Sequence, residues 1–302
     1  MQRRVIMVVA VMLTVVGGIT GLVLASQQGW FGGRAKWLFS SGLQAQQRQQ
    51  SAEAKARFEE LLTTFPDSPL SDDALFHLAQ VEEMQQQWAE ARTAYQTLLE
   101  RFPDSPLLAQ TQHALGNVNI SLLYSPMPTD FQVIYQVKPG DTLGKIASAN
   151  GTTTEFLKTA NKLRSDVIRP GQKFVVPKGR FSIVVDKSQN QLLLTQDNRF
   201  IKSYTVATGK DNSTPVGTFK VVTKILNPVW YKQGAVVPSD SPENILGTRW
   251  MGLDKSGYGI HGSVDPSAMG QQVTAGCVRM TNPEVEELFA LVPVGTEVTI
   301  VD

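Results

Sequence analysis

Between residues 34 and 124 apolar side chains recur every three or four positions, whereas after residue 180 they alternate with polar ones, so helical and strand-forming regions share one chain. Phe58, Leu61, Leu62 and Phe65 lie on one helical face, and Tyr95, Leu98, Leu99 and Phe102 repeat that face 37 residues later. Phe65-Pro-Asp-Ser-Pro-Leu70 returns at the same interval as Phe102-Pro-Asp-Ser-Pro-Leu107. Proline stops each helix, and Ser68-Pro69 and Ser105-Pro106 are expected to open the next, serine as N-cap and proline as first helical residue. About two and a half repeats fit between a helix near Lys36 to Leu43 and a last helix near Leu107 to Leu123.

Ser125-Pro-Met-Pro-Thr129 breaks the helical pattern and opens a linker over 125–132. Over 133–178 the order strand, helix, helix, strand follows, with Asp141 or Thr142 capping the first helix and Thr152 or Thr153 the second. From 180 to 302 short alternating runs predict a mostly antiparallel β structure with one helix, Pro283 to Leu291, capped by Asn282 or Thr281. Residues Lys224 to Asn244 are rich in Pro, Ser and Gly and hold Trp230 and Tyr231. They predict a long loop, and its aromatics serve either a lid or the core.

Val5 to Ala25 is an uncharged apolar run long enough to cross a bilayer core of about 30 Å. Its length favours a membrane anchor over a cleaved signal peptide, and 1–28 is assigned to it. The rest of the chain is then expected to be exported and held at the membrane; the alternative is release after cleavage. The net charge of +1 and the 18% of charged residues give no sign of a nucleic-acid partner. His77 and His113 have no ligand-spaced partners and read as structural; no metal and no cofactor are expected.

The single cysteine, Cys277, lies sixteen residues after His261, one of three histidines. A thiol beside an imidazole that takes its proton is a nucleophile suited to acyl transfer. Gly262 and Gly276 flank the pair where backbone bends and approaches a substrate. For an isolated cysteine and histidine, buried packing residues would be the better reading.

Here the residues carry a resemblance. His261-Gly262-Ser263, then Gly276-Cys277-Val278-Arg279-Met280, with Thr208-Gly-Lys210, Thr214-Pro-Val-Gly-Thr-Phe219 and Asn244-Ile-Leu-Gly-Thr-Arg-Trp-Met251 upstream in order, are similar to the L,D-transpeptidase catalytic domain over 180–302. Many members have Ser-His before the Gly-Cys, where this chain has Thr274-Ala275. The Gly-Asp-Thr-Leu143 and Pro170-Gly-Gln blocks make 133–178 resemble a LysM domain, and 34–124 resembles tetratricopeptide repeats. The architecture so implied is a transmembrane helix, an all-α repeat, a small βααβ LysM domain and a mostly-β catalytic domain, anchored in the inner membrane with the catalytic part in the periplasm or wall, or secreted to the periplasm after cleavage.

The resemblance implies that Cys277 attacks the carbonyl of the third, diaminopimelate residue of a tetrapeptide stem, expels D-alanine and passes the acyl group to another amine. His261 is the base, and Gly262 offers a carbonyl to orient its ring. Amides of Gly276 and Cys277 are the oxyanion-hole candidates, and Arg279, Thr274, Ser263 and Tyr258 the substrate-contact candidates. LysM domains bind N-acetylglucosamine glycans, which here points to Gly140, Asp141, Thr142 and Leu143 with Ile168, Arg169 and Pro170; turn and cap roles suit the first of these equally. Partners are therefore peptidoglycan strands and stem peptides, the membrane through the N-terminal helix, and either a protein on the helical repeats or none if they are a spacer. The alternatives are an L,D-carboxypeptidase or endopeptidase with the same site, or a non-catalytic wall-binding scaffold. The LysM segment is expected to be a separable module.

Overall fold

The computed structural model of the chain describes residues 33–126, 128–232 and 234–302. They form two compact units that divide at Thr111 and Gln112. Among the described residues no helix is long and apolar enough to cross a membrane, and the expected span Val5 to Ala25 lies outside them.

The first unit is helical. Residues 33–47 form α1, followed by α2 (Ser51–Thr64), α3 (Ser71–Met84) and α4 (Trp88–Arg101), with α5 (Leu108–Leu123) continuing into the second unit. Both ends of α2 recur in α4 after 37 residues, 51 to 88 and 64 to 101. Phe58 and Leu61 on α2 and Tyr95 and Leu98 on α4 are all fully buried, so the repeat in sequence is a repeat in packing. The Ser-Pro caps fall differently. Ser68 precedes a turn in which its carbonyl accepts the Ser71 N–H and its hydroxyl the Leu70 N–H, and α3 then starts with Leu70 as N-cap. Proline pre-sets that extra turn instead of the helix itself. His77 stacks on Phe58 and meets Gln46, and burial lowers its pKa, a packing role.

In the second unit β1 (Gln132–Gln136) and β2 (Lys173–Pro177) pair antiparallel around α6 (Leu143–Ala149) and α7 (Thr154–Ala160). Thr142 and Thr153 supply the two helix caps. The main sheet uses β3 (Phe181–Asp186), β4 (Gln191–Gln196), β5 (Arg199–Thr205), β7 (Gly217–Leu226), β10 (Arg249–Leu253), β11 (Gly259–His261), β13 (Val278–Arg279) and β14 (Glu297–Val301). Their order is β13-β11-β10-β7-β14-β3-β4-β5. Two pairs, β11 with β13 and β14 with β3, are parallel, a departure from the antiparallel expectation that long crossovers make possible. Short strands β6 (Thr208–Gly209) and β12 (Gln272–Thr274) pair beside it, and α8 (Asn282–Leu291) buries Val285, Leu288 and Leu291.

The loop expected over 224–244 is partly ordered into a hairpin of β8 (Trp230–Lys232) and β9 (Ala235–Val237). Asn244 ties its base by donating to the carbonyls of Pro228 and Pro238. Trp230 is half-buried and Tyr231 is 76% exposed, so neither is a core residue.

The LysM segment and the linker before it pack against the catalytic part. Phe131 and Phe156 are buried, the Phe131 carbonyl accepts from Gln196 on β4, and Thr153 donates to the Ala290 carbonyl on α8. The expected linker is part of that joint, since Gln132 is 3% exposed and bonds the Leu123 carbonyl.

Candidate active site

Cys277 sits where a strained turn enters β13. Gly276 has φ +124°, and a Cβ there would lie 2.8 Å from the Tyr258 ring and 3.2 Å from the Ser213 carbonyl oxygen, so only glycine fits. Tyr258 therefore packs directly against the residue before the thiol. Thr274 closes the turn: its hydroxyl accepts the Gly276 N–H at 3.2 Å and donates to the Cys277 carbonyl at 2.7 Å. Its oxygen is thus committed to backbone, and the Gly276 N–H is not open to an oxyanion. Among the described residues the Cys277 N–H carries no turn or ladder bond.

His261 ends β11, which runs parallel to β13 with His261 opposite Arg279 and Ile260 opposite Val278. Because paired residues of neighbouring strands point the same way, Arg279 and His261 share one face of the sheet, and Cys277 lies in the bend that leads into β13. His261 is 2% exposed and stacks against Trp250, its neighbour on β10, at 5.8 Å and 22°. Its Nδ1 lies 2.8 Å from the Gly262 carbonyl, which can only accept; Nδ1 therefore carries the proton and Nε2 the lone pair. Burial, aided by the Arg279 charge and opposed by the Gly262 bond, pulls its pKa down to about 4. The imidazole is neutral at pH 7.

The thiol is neutral too. Burial raises the Cys277 pKa, against smaller lowering effects of the Gly259 backbone and the Arg279 charge. Its hydrogen bond goes to the Gly257 carbonyl at 3.6 Å, not to His261. The sequence-predicted pair is thus two uncharged groups, each hydrogen-bonded to a backbone carbonyl and not to the other. Arg279 is half-buried, makes no ion pair among the described residues, and its Nε is buried without a partner. Ser263 is turned inward, its hydroxyl accepting the Asp265 N–H and donating to the Asp265 carbonyl.

Three supporting residues were not among the site residues expected from the sequence. Asn282 accepts the Thr248 N–H and packs against Gly262, where a Cβ would come within 2.3 Å of its Oδ1. Trp250 was visible only as part of a motif block. Lys187, with a side chain 3% exposed, donates to the Thr214 carbonyl at 3.0 Å and pairs with Asp302 at 2.8 Å. Thr214 in turn accepts the Gly209 N–H at 2.7 Å, and a Cβ on Gly209 would lie 2.9 Å from Gly276 Cα. The chain Lys187, Thr214, Gly209 thus forms the platform under the nucleophile turn.

In the LysM segment Val137 joins the two expected groove loops, donating to Gln172 and accepting from Gly171. Gly140 has φ +85°, Asp141 accepts from the Lys138 N–H and the Tyr135 hydroxyl, Thr142 caps α6 and Leu143 is buried. These side chains shape the turn. Ile168 is half-buried, and Arg169 and Pro170 are exposed beside it. Among the described residues no group of three or more His, Cys, Asp or Glu is placed to hold a metal ion.

Comparison with known proteins adds the following. Residues 180–300 match the L,D-transpeptidase catalytic domain family, 135–177 the LysM domain and 40–106 the tetratricopeptide repeat, in that order. YkuD of Bacillus licheniformis, provisionally named an L,D-transpeptidase, is 37% identical over 176 residues, 56% of this chain and 98% of its own. YqjB of Bacillus subtilis, named in the same way, is 44% identical over 126 residues, covering 40% of this chain and 70% of that one. Among solved structures, the NMR structure of the catalytic domain from E. faecium L,D-transpeptidase covers 40% of this chain and 96% of that one, at 26% identity and a TM-score of 0.34.

Proposed function

This chain belongs to the L,D-transpeptidase family, and on that premise we propose that it cross-links peptidoglycan through an acyl-enzyme on Cys277. The observation that carries the reading is His261 beside Arg279 on parallel strands, with Cys277 in the bend that enters β13 and the His261 Nε2 lone pair left open by the Nδ1 bond to Gly262. Sγ attacks the carbonyl of the third stem residue as its proton passes to Nε2. The tetrahedral oxyanion collapses to a thioester, the amide C–N bond breaks, and the imidazolium returns the proton to the leaving D-alanine amine. An amine of a second stem then attacks the thioester, gives its proton to His261 and releases Sγ.

A neutral thiol and a neutral imidazole mean that proton transfer accompanies attack. Before it, Sγ must leave the Gly257 carbonyl, a tightening on substrate binding familiar from unliganded sites. The Cys277 N–H is the oxyanion donor, and Arg279, with an unsatisfied Nε, faces a substrate carboxylate. Thr274 and Ser263 act on the turn and loop that hold the site. LysM holds the glycan, the apolar run Val5 to Ala25 anchors the chain at the membrane, and the helical repeats face a protein partner or space the enzyme from the bilayer.

Incubation of the soluble part with disaccharide tetrapeptide, read by mass, tests the reading. A cross-linked dimer is expected, with none from Cys277→Ser. Tripeptide alone would make water the acceptor and the protein a carboxypeptidase, and no change in a folded sample would leave a scaffold.

A further inference from the structure

A cavity of about 1040 Å³ opens where α6 and the α6–α7 turn of the LysM segment meet the catalytic sheet. Gly144, Ser148 and Thr152 line it from one side, and Arg180, Lys220 and Lys224 from the other. It is not the Cys277 site. Lys224 lies opposite Met251, Met251 opposite Ile260 and Ile260 opposite Val278, whereas Trp250, His261 and Arg279 form the next row, so Lys224 leaves the sheet on the face away from the histidine. None of the expected glycan-groove residues lines it either.

Three cations lie on the wall. Arg180, Lys220 and Lys224 make no ion pair among the described residues; Lys224 is held by the carbonyls of Phe289 and Val292 at the end of α8. Arg180 packs its stem beside Gly151 of the LysM segment. Thr152, 3% exposed on the cavity wall, has a hydroxyl without a partner, an unsatisfied group that calls for an explanation. Two carboxylates, Asp197 and Glu297, also face the space, and Asp197 is partly committed to the Arg180 N–H at 2.9 Å.

That mixture selects among ligands. A polyanion such as a phosphate chain would meet two carboxylates, whereas a peptide with several carboxylates and one amine finds partners of both signs. We propose that this cavity is a second stem-peptide site, which holds a zwitterionic, carboxylate-rich peptide of the wall polymer while Cys277 works on another. It rests on the reading of the protein as a peptidoglycan enzyme and deepens it: polymer would be gripped at the joint between the two modules, not only at the reacting stem.

The test uses the soluble part, residues 33–302, treated with a carbapenem so that an adduct on Cys277 fills the reacting site. Glycan-free tetrapeptide is then titrated by NMR, with inorganic phosphate as a second probe. Saturable peptide binding is expected in the acylated protein, weakened roughly tenfold or more in the double variant Arg180→Glu, Lys220→Glu. Both side chains are exposed enough to change without unfolding the chain, which melting checks. Absence of saturable binding, equal affinity in the double variant, or equal competition by phosphate would each overturn the proposal. Acylation is read by mass in the same samples, so a failure of Cys277 chemistry appears separately, and the comparison between wild type and variant stands whether or not the thiol reacts.

Discussion

The hydroxyl of Thr274 donates to the carbonyl of Cys277 at 2.7 Å while accepting the Gly276 N–H at 3.2 Å, so a side chain three residues upstream fixes the backbone of the nucleophile. Many family members carry serine and histidine before the Gly-Cys; here Thr274 supplies the brace and Ala275 is exposed and plays no part in it. Thr274→Val removes both bonds at a site 4% exposed and should cost about 1–3 kcal/mol in stability. Because the turn also positions Sγ, carbapenem acylation should slow about tenfold or more, with Thr274→Ser close to wild type. Acylation of the valine variant at the wild-type rate would reduce the brace to a packing detail.

His261 titrates at about 4 in the folded protein against an ordinary 6.5. The unfolded chain therefore binds the extra proton between those values, and the stability tied to the neutral imidazole is complete above pH 6.5 and fades as pH falls towards 4. About 3 kcal/mol is the order of the effect. Urea unfolding at pH 7 and pH 4.5 should show a smaller drop in His261→Gln than in wild type; equal drops would place the acid sensitivity elsewhere.

Burial of Cys277 raises its thiol above the ordinary 9.0, so the free enzyme holds little thiolate at neutral pH. Iodoacetamide, which needs the thiolate, should alkylate Cys277 at a rate that still climbs beyond pH 9. Carbapenem acylation, assisted by His261, should reach most of its rate by pH 7. A common plateau below pH 8 for both reagents would mean a preformed thiolate and imidazolium pair.

Much of this was legible because the sequence repeats or constrains backbone. The 37-residue period set the ends of α2 and α4, and Gly276 announced a position that no Cβ could occupy. Hydroxyls have local roles that spacing does not reveal: Thr274 and Ser263 look like substrate contacts in a motif, and each hydrogen-bonds within its own loop. Long-range partners left no trace. Lys187 follows a strand like any surface lysine, and only the fold brings Thr214 and Asp302 to it.

Lys187 yields a prediction of its own. With Thr214 and Gly209 it supports the turn from below, so Lys187→Met should leave a folded protein whose kcat falls about tenfold while KM for muropeptide changes little, since no substrate contact is lost. The variant also strands Asp302 and the Thr214 carbonyl, and Lys187→Arg should restore part of the rate. A melting point lowered with kcat intact would assign Lys187 to stability alone.

Excision of residues 130–178 separates the modular view of the LysM segment from the fused one. A detachable module would leave turnover of soluble muropeptide intact and weaken only sedimentation with insoluble wall. The structure predicts otherwise. Phe131 and Phe156 are 1% and 0% exposed, Tyr124 meets the Phe156 ring at 5.1 Å, and Gln196, Arg199 and Ala290 of the catalytic part all bond to residues inside the excised stretch. Removal of two buried aromatics alone forfeits about 3–5 kcal/mol each, comparable with the whole stability of many domains. The truncated protein should therefore melt far below the full chain and lose muropeptide turnover with its fold. A milder variant isolates the joint: Phe156→Ala keeps the expected groove residues in sequence but removes the ring between α7 and Tyr124. It should lower the melting temperature by several degrees. Full turnover by the excised protein, with a melting temperature near that of the intact chain, would restore the separable module and remove the fixed joint on which a shared peptide cavity depends.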